Sequence, residues 1–200
     1  MLALQILKYC IRTKYLGIGY SPGDDMITGG SSDVPDGWCD ASWVVHDPQT
    51  KARSMSMKIF RYCNGPVHWG SKAQQAQALS SAGAELTALT EATGDGIAIR
   101  EAAYELNLPQ REPMKMFTDN RAAVFIGEDA AAVRKSKADS RHAIFLQETV
   151  EEGIMELKHW PGKDNVADIG TKWLNRHDFE KYRAVLINMH AHRKLSIPVP

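Results

Sequence analysis

The sequence predicts an α/β domain: a mixed sheet that opens with three antiparallel strands and is completed by strands alternating with helices. Three observations predict it. WCDASWVVH, SMSMKIFRYC and PVHWGSK are short strand-like stretches that follow one another through turn signals before any helix. A long helical stretch then runs from about Ser80 to Asn107. Beyond it, PMKMFTD and IMELKHW read as strands separated by helical segments, an order that lays helices on the faces of a sheet.

Each element has its own grounds. Residues 2–14 read as a short amphipathic helix, with Leu4, Leu7, Ile11 and Tyr15 near helical spacing. LGIGY reads as a strand, and SPGDDMITGGSSDVPDG, rich in Gly, Ser, Asp and Pro, as a linker. DPQTKAR supplies the turn after WCDASWVVH, and Asn64-Gly65 is a hairpin signal between the next two strands. Ser80 and Ser81 are N-cap candidates for the long helix, Leu86, Leu89, Ile97 and Leu106 are its apolar positions, and Pro109 lies beyond its end. Gly94 and Gly96 predict a kink in its middle. A helix follows PMKMFTD from Asn120 through Ile126, and residues 127–138 are charged and Ala-rich with no clear boundary. RHAIFLQETVEEG reads as a helix ended by Gly153, NVADIGTKWL as a short helical segment, RHDFEKYRAVLINMH as a C-terminal helix and SIPVP as a tail. Trp38, Trp43, Trp69 and Trp160 are assigned to the core.

Composition narrows the function classes. A hydrophobic content of 44% supports a packed core. No apolar run approaches the roughly 20 residues that span a bilayer, so no membrane role is expected. The opening apolar stretch is interrupted by Lys8, Arg12 and Lys14, unlike a signal peptide, which predicts an intracellular protein of the cytoplasm or nucleus, not a secreted one. Cys10, Cys39 and Cys63 are odd in number and lack CxxC spacing, against a disulfide framework or structural zinc. The formal net charge is zero, whereas a nucleic-acid binder is expected to be basic.

The candidate chemistry rests on four acids: Asp40 in GWCDASW, Glu85 in ALSSAGAELTALTEA, Asp119 in KMFTDNRAA and Asp168 in DNVADIGTK. Each has a bland reading. Asp40 would be an edge-strand acid in water, Glu85 a first-turn acid favoured by the helix dipole, Asp119 an N-cap and Asp168 a solvated helix residue. Converged by a fold, the same four would form an oxygen-rich cluster suited to Mg²⁺ or Mn²⁺.

Their order and context resemble the RNase H fold. More narrowly, ALSSAGAELTALTEA, MFTDNRAAV and GKDNVADIGTK resemble the RNase H domain of copia-type LTR retrotransposon Pol polyproteins, as do His68-Trp69-Gly70-Ser71-Lys72 before the Glu motif and MELKHWPGKDNVADIGTKWL near the end. ALQILKYCIRTKYLGIGYSPG resembles the tether that joins the reverse transcriptase to RNase H. The resemblance runs from about Ala3 to the region of Met189. It implies a five-stranded RNase H-like sheet, an N-terminal tether helix and strand over 1–36, the RNase H-like domain over 37–190 and a tail over 191–200.

The resemblance also implies an activity: two-metal hydrolysis of the RNA strand of RNA–DNA hybrids, leaving 5′ phosphates, within retrotransposon reverse transcription. The reverse transcriptase domain of the same or a longer polyprotein would be a partner. Asp40 would bridge two ions, Mg²⁺ or Mn²⁺, with Glu85 and Asp119 completing one and Asp168 the other. Glu85 would lie near the ribose 2′-hydroxyl. Candidate nucleic-acid contacts are Ser71, Lys72, Asn120, Lys135, Lys137 and Arg141, the last three in a basic cluster with Arg134; a solvated helix surface explains that cluster equally well. Three features depart from the pattern: the loop Pro161–Asn165 has no His, Gly83 stands where a further Glu is common, and KSKADSRHAIF matches loosely. His159, just upstream, reads as a structural histidine. The competing readings are a catalytically silent or domesticated hybrid-binding module, an integrase or resolvase of the same fold, and a fragment that needs its attached polymerase.

Overall fold

The computed structural model describes residues 2–23, 28, 33–43, 53–75, 78, 80–128 and 140–188. Among these, five strands form a sheet in the spatial order β3-β2-β1-β4-β5. The strands β1 (Asp36–Ser42), β2 (Met55–Tyr62) and β3 (Gly65–Ala73) pair antiparallel. β4 (Met114–Thr118) runs parallel to β1, and β5 (Met155–His159) parallel to β4. This is the mixed sheet expected from the sequence. The helices are α1 (Leu2–Thr13), α2 (Ser81–Glu105), α3 (Arg121–Glu128), α4 (Ser140–Glu151) and α5 (Arg176–Leu186), with 3₁₀ segments at Gly162–Asp164 and Val166–Gly170.

β1 is the central strand, and all of residues 37–41 are buried, as a strand covered on both faces must be. On one face Cys39, Phe60, Met114, Met116 and Leu157 pack with Leu86 and Leu89 of α2 and Leu146 of α4. On the other, Trp38, Ile59 and Phe117 pack with Val166, Ala167 and Tyr182. Trp38 stacks on Phe117 with centroids 4.9 Å apart, and Trp160 meets both edge-on.

Several expectations are corrected. Tyr62 pairs directly with Gly65, so the hairpin loop is Cys63-Asn64, one residue earlier than the Asn-Gly signal suggests. Both loop residues have positive φ, 49° and 63°, as a type I′ turn requires. Gly65 serves a close approach instead: a Cβ there would lie 2.5 Å from the Tyr20 ring and 2.6 Å from the Gly19 carbonyl. LGIGY joins no sheet among the described residues. It crosses the hairpin end, with Gly19 N–H donating to Ile187 O at 3.0 Å and Tyr20 Oη to Pro66 O at 2.8 Å.

α2 runs as one helix through Gly94 and Gly96, capped by Ser80, whose side chain accepts from Gly83 N–H. Gly96 lets the helix pack closely on the sheet, since a Cβ there would collide with the Met114 side chain. Trp43 and Trp69 are exposed, not core. Trp69 lies on β3, the edge strand of the sheet among the described residues, and Trp43 follows the end of β1. Among the described residues no helix is long and apolar enough to cross a membrane.

Candidate active site

Asp40 follows Trp38 in the alternation of β1 and shares its face. It is 5% exposed on the central strand, so it is not an edge acid in water. Such an acid requires partners. The Thr171 hydroxyl donates to its Oδ2, and Lys172 Nζ lies 3.6 Å from the same oxygen.

Asp168 is held in the 3₁₀ segment and is 7% exposed, not a solvated helix residue. Asn165, fully buried, fixes this segment at both ends of its amide. Its Oδ1 accepts from Ala167 N–H at 3.1 Å, and its Nδ2 donates to Cys39 O at 3.0 Å. The β1–β4 pairing ends at Trp38–Phe117, and Asn165 takes up the carbonyl of the next residue. One side chain thus ties the Asp168 turn to the residue before Asp40. Asn165→Ala is expected to cost about 1–3 kcal/mol in urea unfolding and to weaken any metal affinity of the site.

Asp119 directly follows β4. The N-cap of α3 is Asn120, whose Oδ1 accepts from Ala123 N–H at 3.0 Å, so capping does not explain Asp119. The loop after β5 approaches it closely: a Cβ on Gly162 would lie 3.0 Å from Asp119 Oδ2. Trp160 Nε1, Lys181 Nζ and Tyr182 Oη hold that loop by bonds to Asp164 and Lys163. Glu85 lies beyond the first turn of α2, which begins at Ser81. The helix-dipole reading therefore loses its basis. Ser81 Oγ donates to Glu85 Oε1 at 3.1 Å.

The four acids feel one another. Burial raises the Asp119 carboxyl, and Asp40 adds to the rise. Burial raises Glu85 as well, with Asp119 and Asp40 adding and the Ser81 bond opposing. Asp168 is pushed up to about 6 by burial and by Asp40, against its bond to Lys172. The buried Cys39 thiol is raised by burial, with the charges of Asp40, Asp119 and Glu85 contributing. Asp40, on a strand, thus acts on acids carried by a helix, a strand end and a 3₁₀ turn.

A raised carboxyl holds its proton more tightly folded than unfolded, so Asp168 subtracts stability as pH rises from its ordinary 3.8 to about 6. In EDTA, the melting temperature of the wild type is expected to fall relative to Asp168→Asn across this window, as read by scanning calorimetry.

The remaining candidates are placed as follows. Ser71 Oγ donates to Gly170 O at 2.8 Å, pinning the 3₁₀ segment to β3. Lys72 pairs with Glu91 at 3.4 Å. Arg141 is exposed on α4. Lys135, Lys137 and Arg134 lie outside the described residues. His159 is exposed at the end of β5, where its Nε2 accepts from Arg121 Nε at 3.4 Å.

Asn165, Thr171 and Lys172 are additions to the sequence-derived set. The signal for Lys172 is its place four residues after Asp168, where an acid and a base on one helical turn meet: its Nζ lies 2.7 Å from Asp168 Oδ1. Among the described residues no three His, Cys, Asp or Glu side chains are already gathered as a metal-holding group. The donor set itself, four carboxylates, suits a hard divalent cation.

No protein-family model matches the sequence. Over 169 residues, 84% of its length, the chain is 27% identical to the retrovirus-related Pol polyprotein from transposon TNT 1-94 of Nicotiana tabacum, and it spans 12% of that polyprotein. LC11-RNase H1, isolated from compost by a metagenomic approach, superposes with a TM-score of 0.51 at 12% identity, covering 82% of this chain and 99% of that one. These comparisons bear out the resemblance drawn from the sequence: the chain has the RNase H fold and is similar over most of its length to a segment of a retrotransposon Pol polyprotein.

Proposed function

We propose that the chain hydrolyses the RNA strand of RNA–DNA hybrids as an endonuclease, in the course of retrotransposon reverse transcription. What supports this reading is that Asp40, on the buried central strand of an RNase H fold, acts electrostatically on Glu85, Asp119 and Asp168, carboxylates carried by three other elements. The reverse transcriptase of the same or a longer polyprotein is the proposed partner, in keeping with a similarity that spans only 12% of the tobacco polyprotein.

Asp40, Glu85, Asp119 and Asp168 would hold two divalent ions, Mg²⁺ or Mn²⁺. Bound there, such ions activate a water for attack on the phosphodiester and stabilise charge on the leaving 3′ oxygen. Asp40, on the buried central strand, would be the ligand shared by both ions in this reading. Asp168 is set against it by Asn165. Glu85, on α2, is the acid proposed to lie near the ribose and read its 2′-hydroxyl. Ser71, Lys72, Asn120 and Arg141, with Lys135 and Lys137, are proposed contacts to the hybrid. Of these, Lys72 must leave Glu91 to reach a phosphate.

The test is cleavage of a hybrid labelled on its RNA strand, with Mg²⁺ or Mn²⁺, beside single-stranded RNA and duplex DNA. Metal-dependent cutting of the hybrid RNA with 5′-phosphate products is the expected result. Tight hybrid binding without cutting by a folded protein would favour the silent module.

A further inference from the structure

A lysine sits among the proposed metal ligands. Lys172 Nζ is 2.7 Å from Asp168 Oδ1 and 3.6 Å from Asp40 Oδ2, on carboxylates whose side chains are 10% and 3% exposed. Its charge also reaches Glu85 and Asp119, where it opposes the rise of each carboxyl. One ammonium therefore contacts two of the acids and acts at longer range on the other two. The chain delivers it by a tight turn: the backbone N–H groups of Thr171 and Lys172 both donate to Asp168 O, at 3.2 and 3.0 Å. This curls the chain so that the side chain returns to Asp168. Thr171, beside it, gives its hydroxyl to the Asp40 oxygen that faces the ammonium. The lysine stem remains 44% exposed. A long flexible stem of this kind can swing its head into water with little rearrangement.

Resting on the metal reading above, we infer that Lys172 is the resident counter-ion of the metal-free site. Its ammonium stands between Asp40 and Asp168 where a divalent ion would bind, and it leaves when that ion arrives. Close, buried carboxylates repel one another and need a cation nearby. An ammonium that meets this need also blocks one oxygen of Asp168 and repels an incoming dication. Lysine and metal are thus alternatives. The lysine holds the acids in place between loading events and raises the metal concentration at which the site fills.

The test is Mn²⁺ titration of the full chain by isothermal calorimetry without nucleic acid, paired with melting in EDTA. Lys172→Met is expected to bind Mn²⁺ about tenfold or more tightly than wild type. It is also expected to melt lower in EDTA, with the gap closing in saturating Mn²⁺. Lys172→Arg, which keeps the charge, is expected to restore metal-free stability without the gain in affinity. If the Met variant does not fold, the wild type carries the test through acylation of its lysines read by mass spectrometry, with Lys172 expected to react faster in Mn²⁺ than in EDTA. Equal or weaker Mn²⁺ binding by Lys172→Met, or unchanged acylation of Lys172, overturns the counter-ion. Failure of all three proteins to bind Mn²⁺ overturns the metal reading, and the counter-ion with it.

Discussion

Asp40→Asn is expected to reduce hybrid cleavage by about 10³-fold or more while leaving the fold intact. Asn has nearly the same shape as Asp, and its side-chain oxygen can still accept from the Thr171 hydroxyl. What the variant lacks is the charge and the second acceptor oxygen, the properties that a ligand shared by two ions must supply. Because Asp40 lies on the buried central strand, no neighbouring acid can move into its place. Single-turnover cleavage with saturating hybrid and metal reads the chemical step. Circular dichroism and a melting curve check that the variant is folded. Residual activity within tenfold of wild type would remove Asp40 from the proposed role.

Asp36→Ala is expected to be the most destabilising of the variants named here, costing about 3–5 kcal/mol in urea unfolding. Asp36 and Arg61 are directly opposite in the β1–β2 register. Arg61 is 2% exposed, and it reaches both Asp36 oxygens, Nη2 to Oδ2 at 2.8 Å and Nε to Oδ1 at 3.3 Å. Its guanidinium also lies 4.4 Å over the Trp38 ring. Removing the carboxylate takes from a buried cation a counter-charge that holds it at two points, which costs far more than losing a surface pair. A loss below about 1 kcal/mol would mean that Arg61 finds compensation elsewhere or moves to solvent. This pair lies at the start of β1 and away from the proposed site, so cleavage per folded molecule should be unchanged.

The sheet and the long helix were legible because their patterns are local. The meander shows in strand-like runs separated by turn residues, and Ser80 caps α2 as its type predicts. The four acids were legible as a set through their contexts. Their bland readings required the structure to decide. The N-cap is Asn120 and not Asp119, Glu85 lies past the first turn, and Asp40 and Asp168 are buried. What stayed hidden was made by chain closure. Asn165 bonds to Cys39 across 126 residues, and Thr171 to Asp40 across 131. No local spacing carries such a link. Trp43 and Trp69 were misplaced for a related reason: a tryptophan in a strand is buried only if another element covers it, and neither the edge position of β3 nor the end of β1 is readable from residue type.

If the four acids form one divalent-metal site, a metal soaked into the crystal should reveal it. Anomalous diffraction from crystals of the chain soaked in Mn²⁺, with an RNA–DNA hybrid bound, tests it most directly. Mn²⁺ is expected within coordination distance, roughly 2.0–2.3 Å, of carboxylate oxygens of Asp40, together with oxygens of Glu85, Asp119 or Asp168, and Lys172 is expected to be withdrawn from Asp168. Mn²⁺ bound only elsewhere, or none in crystals that hold the hybrid, would contradict it.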